Sequence, residues 1–181
     1  MRYIVLLRGV NVGGRGKLPM GDLRTLLQAM GHTDVMTYLQ SGNVLLTSSG
    51  EDPSQLGREI EQAIERDVGM NINVLIRTPE ELARVMEGNP FPAGSANPTR
   101  LHVSFLSGAP DTERLAAIDP QQFEPDEFRV GERAVYLWYP NGSGRTKLSN
   151  DFWERRLGLT ATTRNWNTVT TLLSMATQGT S

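Results

Sequence analysis

The chain has 181 residues, a formal net charge of −2 and no cysteine. Disulfides, thiolate nucleophiles, iron–sulfur clusters and cysteine-ligated zinc are thereby excluded. The near-neutral charge gives no global pull toward nucleic acid or acidic membranes, and hydrophobic and charged fractions of 38% and 21% suit a globular chain better than a disordered one.

The strand-like opening Tyr3–Leu7 is followed by Arg8 and glycines, not by a small-residue cleavage site. No apolar run approaches the roughly 18–20 residues of a membrane span. These features predict a cytoplasmic protein without a membrane partner. Residues 2–8 read as a buried strand, and a Gly-rich loop runs from Gly9 to Leu18. Pro19 suits the first turn of a helix with Leu23, Leu26, Leu27 and Met30 on one face, ended by Gly31. Val35–Gln40 and Asn43–Ser48 form a hairpin around Ser41-Gly42. Asp52-Pro53-Ser54-Gln55 opens a second helix, carrying Leu56, Ile60, Ala63 and Ile64 and closing at Gly69. Ile72–Arg77 is a strand, and Thr78-Pro79-Glu80-Glu81 caps another helix.

Residues 88–99, rich in Gly, Asn, Pro, Ala and Ser, read as a connector. After it the element order repeats: a strand at Leu101–Leu106, a short helix at Asp111–Ile118, and a hairpin of Glu127–Val130 and Ala134–Tyr139 around Gly131. A helix at Ser149–Leu157 closed by Gly158, a strand at Thr160–Arg164 and a helix at Thr168–Met175 follow. The expected organisation is a first half at 1–87, the connector, a second half at 100–176 and a frayed tail at 177–181. The fold class is α+β: two ferredoxin-like (split βαβ) halves, each β-α-β-β-α-β-α, with helices packed on mainly antiparallel sheets. In that topology the end of the first strand and the Ser41-Gly42 turn emerge together.

Three constellations carry candidate chemistry. In Arg8–Lys17, the glycines Gly13 and Gly14 would turn backbone N–H groups inward before a helix start, with Arg8, Asn11 and Lys17 beside them, which suits an anion. The P-loop and dinucleotide patterns both fail here, because Asn11, Leu18 and Pro19 stand where they need other residues. Ser41 and Asn43 add polar groups at the adjoining turn. In the second half, Asn141–Lys147 is again Gly-rich and basic, with Arg145 and Lys147 before a helix. Arg164, Asn165, Trp166 and Asn167 suit stacking and hydrogen bonding to a ring such as a base. Plainer readings stand beside each: a solvated βα connection, an ordinary Ser-Gly turn, Asn167 as a helix cap, and Trp166 as core. His32 and His102 lie in different halves without a ligand spacing, so no metal site is expected. Ser41 and Ser149 show no evident base. No cofactor or catalytic residue is assigned.

The runs LLRGVNVGG at 6–14, KLPM at 17–20, YLQSGNV at 38–44 and TTRNWNTVTTL at 162–172 together resemble the bacterial domain of unknown function family 1697, from Tyr3 to about Leu173. The resemblance implies a small cytoplasmic α+β protein and no established activity. The functional expectation is a binding protein, or an enzyme, for a phosphorylated or otherwise anionic small ligand such as a nucleotide. Two alternatives stay open. One is an RNA- or DNA-binding module on a ferredoxin-like sheet. The other is an interaction protein, monomeric or homodimeric, with Trp138, Trp153 and Trp166 as interface anchors.

Overall fold

A computed structural model describes residues 1–11, 17–91 and 97–178. Among the described residues the chain is α+β, with six α-helices and two four-stranded antiparallel sheets. It divides into two compact units: Met1–Leu82 with the residues from Leu172 onward, and Ala83–Thr171.

The first sheet comprises β1 (Arg2–Leu7), β2 (Thr33–Tyr38), β3 (Asn43–Thr47) and β4 (Val74–Arg77), in the order β2-β3-β1-β4. Alternation along β1 sends Tyr3, Val5 and Leu7 to one face. There they join Val44, Leu46 and Ile76 under the apolar stripes of α1 (Met20–Ala29) and α2 (Pro53–Val68). Helix α2 has both of its expected stops. The Asp52 carboxylate accepts hydrogen bonds from the N–H groups of Ser54 (2.9 Å) and Gln55 (3.3 Å). Gly69 closes the helix in the left-handed region at φ 76°. Helix α3 is Pro79–Glu87.

The second sheet comprises β5 (Leu101–Leu106), β6 (Glu127–Gly131), β7 (Ala134–Trp138) and β8 (Ala161–Asn165), in the order β6-β7-β5-β8. Its covered face holds Leu106, Val135, Leu137 and Ala161, packed on Phe152, Trp153 and Leu157 of α5 (Asn150–Leu157). Trp153 is fully buried, edge-on to Phe128 and Phe152 at centroid distances of 5.2 and 5.0 Å. Ser149 caps α5 and Gly158 ends it. Helix α4 is Thr112–Ala116, followed by a short 3₁₀ turn at Pro120–Phe123 that no apolar periodicity in the sequence signals.

Several boundaries differ from expectation: β2 begins and ends two residues before the expected Val35–Gln40, β4 begins at Val74, not Ile72, and Pro19 precedes α1 as its N-cap. The β6–β7 turn is centred on Glu132-Arg133, not Gly131, with Arg133 at φ 51°. The last helix, α6, runs from Trp166 to Gln178, starting earlier and ending later than its apolar periodicity suggested. It is capped by Asn165, whose Oδ1 accepts the Thr168 N–H at 2.8 Å, in place of the anticipated Asn167. Residue 92–96 of the expected connector and 179–181 of the expected tail lie outside the described residues. Among the described residues no helix is long and apolar enough to cross a membrane.

Candidate functional site

In the first unit, antiparallel pairing of Leu6 with Asn43 brings the end of β1 to the turn that precedes β3. The Leu7 N–H donates to the Gly42 carbonyl at 2.9 Å, and the Arg8 N–H to the Asn73 carbonyl at 2.9 Å. The loop leaving β1 and the Ser41-Gly42 turn therefore meet at one end of the sheet. Asn11 ties them together. Its Nδ2 donates to the carbonyls of Leu18 (2.8 Å) and Gln40 (2.6 Å), and its Oδ1 accepts the Leu18 N–H (2.8 Å). Asn11 sits at φ 55°, a conformation asparagine tolerates better than most residues.

Asn43 is fully buried, and its Nδ2 donates to the Tyr38 carbonyl (3.0 Å) and the Ser41 Oγ (3.2 Å). Both asparagine amides thus shape the loop and the turn from within. Arg8 directly follows β1 and is half-buried, and the exposed Lys17 precedes Leu18, which Asn11 holds, so both backbones border this end of the sheet. Gly13 and Gly14, predicted to turn their N–H groups toward an anion, lie outside the described residues.

In the second unit the strands β7 and β8 both end where β5 begins: Leu101 faces Trp138, and His102 faces Asn165. The 140–148 loop and the Asn165–Thr168 junction therefore leave the same end of this sheet. The loop is held by the Tyr139 hydroxyl, which donates to the Leu148 carbonyl at 2.9 Å. Burial pushes the Tyr139 phenol well above its ordinary range, with the charge of Asp126 adding to the shift and a hydrogen bond with Thr146 opposing it. The Thr146 hydroxyl donates to the Asp126 carboxylate at 2.7 Å, joining the loop to the segment after the 3₁₀ turn.

Between that segment and the loop lies a cleft of about 570 Å³, lined by Glu124 and Asp126 on one side and by Gly142, Gly144, Arg145 and Lys147 on the other. Arg145 and Lys147 are exposed, and neither side chain makes a hydrogen bond or ion pair among the described residues. In the sequence, Glu124, Asp126 and Glu127 read by themselves as a solvated acidic face around a strand start. What links it to the basic loop is the tertiary Thr146–Asp126 hydrogen bond, which no local pattern encodes.

The remaining predicted residues lie elsewhere. Arg164 is buried in β8, with Nη1 donating to the Thr162 Oγ1 (2.6 Å) and the Thr163 carbonyl (3.0 Å). It has a counterpart that no sequence motif marks: Arg77 is buried in β4, opposite Ile4 as Arg164 is opposite Val103. Asn165 is engaged as the α6 cap, Trp166 is half-buried and Asn167 exposed. None of these lines the cleft. Trp153, one of the three suggested interface anchors, is enclosed in the core of its unit and unavailable to a partner. Among the described residues no group of three or more His, Asp or Glu side chains is placed to hold a metal ion.

The family described as Protein of unknown function (DUF1697) matches residues 1–136, well over half of the chain. The chain belongs to that family. The family motifs at 6–14, 17–20 and 38–44 fall inside the matched segment, and the run at 162–172 lies beyond it. A conserved bacterial protein from Streptococcus pneumoniae, SP0830, has a similar structure, with a TM-score of 0.75 and 22% sequence identity over 97% of this chain and 98% of that one. At that identity the likeness speaks to the fold alone. No curated protein matches the chain.

Proposed function

We propose that this DUF1697 protein binds a small phosphorylated ligand of nucleotide type in the cleft of its second unit. The observation that carries the reading is the pair Arg145 and Lys147, which line the cleft and make no side-chain hydrogen bond or ion pair among the described residues. Cations left unpaired beside a Gly-containing loop suit an anionic group. A volume of about 570 Å³ lies within the range of small-molecule sites. Glu124 and Asp126 on the facing wall disfavour a bare anion and accept hydrogen bonds from hydroxyl or amino groups. The two walls together therefore favour a phosphate joined to a hydroxylated or amino-bearing body over inorganic phosphate.

The loop of the first unit, with Arg8 and Lys17, is the second position for an anion. Calorimetric titration with inorganic phosphate, ribose 5-phosphate, AMP and a short RNA separates these readings. Binding of AMP or ribose 5-phosphate that is lost in the Arg145→Ala/Lys147→Ala double variant supports the cleft. Loss in Arg8→Ala/Lys17→Ala instead moves the site to the first unit, and binding of RNA alone sinks the small-ligand reading. Cytoplasmic residence belongs to the same proposal, and recovery of the protein outside the cytoplasm would contradict it.

We further propose that the two units are ferredoxin-like halves of an internal duplication. Three paired features support it. Both sheets have the same strand order. The Leu7-to-Gly42 and Arg8-to-Asn73 hydrogen bonds recur as Leu106-to-Arg133 and Ser107-to-Thr160, all at 2.9 Å. Gly69 and Gly158 end corresponding helices in the left-handed region. A crystal structure in which the two sheets differed in strand order would refute the duplication.

A further inference from the structure

The hydrogen bonds shared by the two sheets make Leu7 equivalent to Leu106, and through it Val5 to Ser104 and Tyr3 to His102. On the neighbouring strands, Ile76 faces Val5 as Thr163 faces Ser104. In the first unit all three of these positions, Tyr3, Val5 and Ile76, belong to the apolar cluster beneath the helices. In the second unit they hold His102, Ser104 and Thr163, a polar seam through the corresponding face.

Part of the seam has its partners. The Thr163 Oγ1 hydrogen-bonds the Asn150 Oδ1 on α5 at 2.6 Å. The buried end does not. Ser104 is 0% exposed, and its Oγ has no hydrogen-bond partner among the described residues. Nor has the Nδ1 of His102, or the Nε1 of Trp153 on the helix above. The seam is also approachable, since Thr163, Asn150 and His102 are half-exposed.

A hydroxyl and an imidazole nitrogen enclosed without partners are unfavourable, and folded proteins satisfy such groups with protein atoms or with ordered water. Ser104 and His102 are two residues apart on one strand face, so their backbones are separated by roughly 6.6 Å. Two hydrogen bonds of about 2.8 Å made through one water are on the scale of that separation. A ring held neutral offers such a water one acceptor nitrogen. Burial lowers the His102 pKa, opposed by a hydrogen bond with the Arg100 main chain, and so favours that form.

We infer that the second unit contains an internal hydration site, in which a water molecule hydrogen-bonds the Ser104 Oγ and the His102 Nδ1 beneath α5. The inference is independent of the proposed cleft, because neither residue lines it. It gives a role to the polar side chains that stand at addresses the first unit fills with Tyr3 and Val5.

A crystal structure at a resolution that shows ordered solvent tests it, together with water–protein cross-relaxation by NMR on the wild type and on Ser104→Val, which restores the residue type of the first unit. The expected result is a density peak within hydrogen-bonding distance of both atoms, and a long-lived solvent cross-peak to the Ser104 and His102 protons that is lost in Ser104→Val. A direct hydrogen bond between Ser104 and His102 with no water between them would overturn the inference. So would a cross-peak of equal strength in the Ser104→Val variant.

Discussion

Replacing Gly42 by alanine tests the geometry that brings the β1 loop to the β2–β3 turn. Gly42 sits at φ 84°, and a Cβ built on it would lie 2.6 Å from the Val10 Cγ2 and 2.8 Å from the Leu7 Cβ. Two costs follow. The left-handed conformation costs a non-glycine residue about 1–2 kcal/mol. Overpacking adds about 1–3 kcal/mol, because the Leu7 Cβ is anchored to its strand and cannot swing aside. The expected destabilisation is therefore about 2–5 kcal/mol. Gly69→Ala supplies the control: its φ is 76°, but nothing lies within 4 Å of its Cβ position, so it bears the conformational cost alone. At about 2–4 °C per kcal/mol for a chain of this size, Gly42→Ala should melt several degrees below Gly69→Ala in a calorimetric scan. Equal melting temperatures would refute the close approach of Val10 and Leu7 to the turn.

Four further outcomes are expected. Asn11→Gly keeps the positive φ but removes the hydrogen bonds to Leu18 and Gln40, costing about 1–3 kcal/mol; hydrogen exchange should show the Leu18 amide losing protection, and unchanged exchange would count against the tie. Trp153→Ala empties the centre of the second unit's core and should cost about 3–5 kcal/mol in urea unfolding, whereas a cost under about 1 kcal/mol would contradict its burial. His102 and His32 both have pKa values lowered by burial, so the unfolded chain takes up protons first as pH falls below about 6.5. Their contribution is full above that pH and declines below it, and the His102→Gln variant should show a shallower loss of stability between pH 7.5 and 5.5. The Tyr139 phenol is held neutral by burial, so stability should fall as pH rises past the unfolded phenol value of about 10; Tyr139→Phe should lessen that fall, and an unaltered alkaline profile would contradict the burial of its hydroxyl.

Local chemistry made the element order readable. Asp52-Pro53 and Gly69 bracket α2 as a cap, a first-turn proline and a left-handed stop, and each signal needs only its neighbours in sequence. The meeting of the β1 loop with the Ser41-Gly42 turn was readable too, once a split βαβ element order was assumed, and the antiparallel pairing of β1 with β3 produces it. Capping by Asn165 was harder to see. Asn165 and Asn167 flank the same tryptophan, and only the backbone path of β8 into α6 decides which amide reaches the Thr168 N–H. The roles of Asn11 and Asn43 in holding the loop and the turn depend on partners such as Gln40 and Tyr38, whose carbonyls become available only once the hairpin forms. That the acidic segment around Asp126 forms a wall of the cleft could not be read for the same reason. Asp126 and Thr146 are distant in sequence and are joined by a hydrogen bond of the folded chain.

The most direct test of the binding proposal is a calorimetric titration of AMP into the wild-type protein and into the Arg145→Ala/Lys147→Ala variant, with thermal unfolding of both to verify that the variant is folded. The expected result is saturable binding to the wild type and a loss of affinity of at least tenfold in a variant that melts at the same temperature. Equal affinity in the two proteins would contradict it.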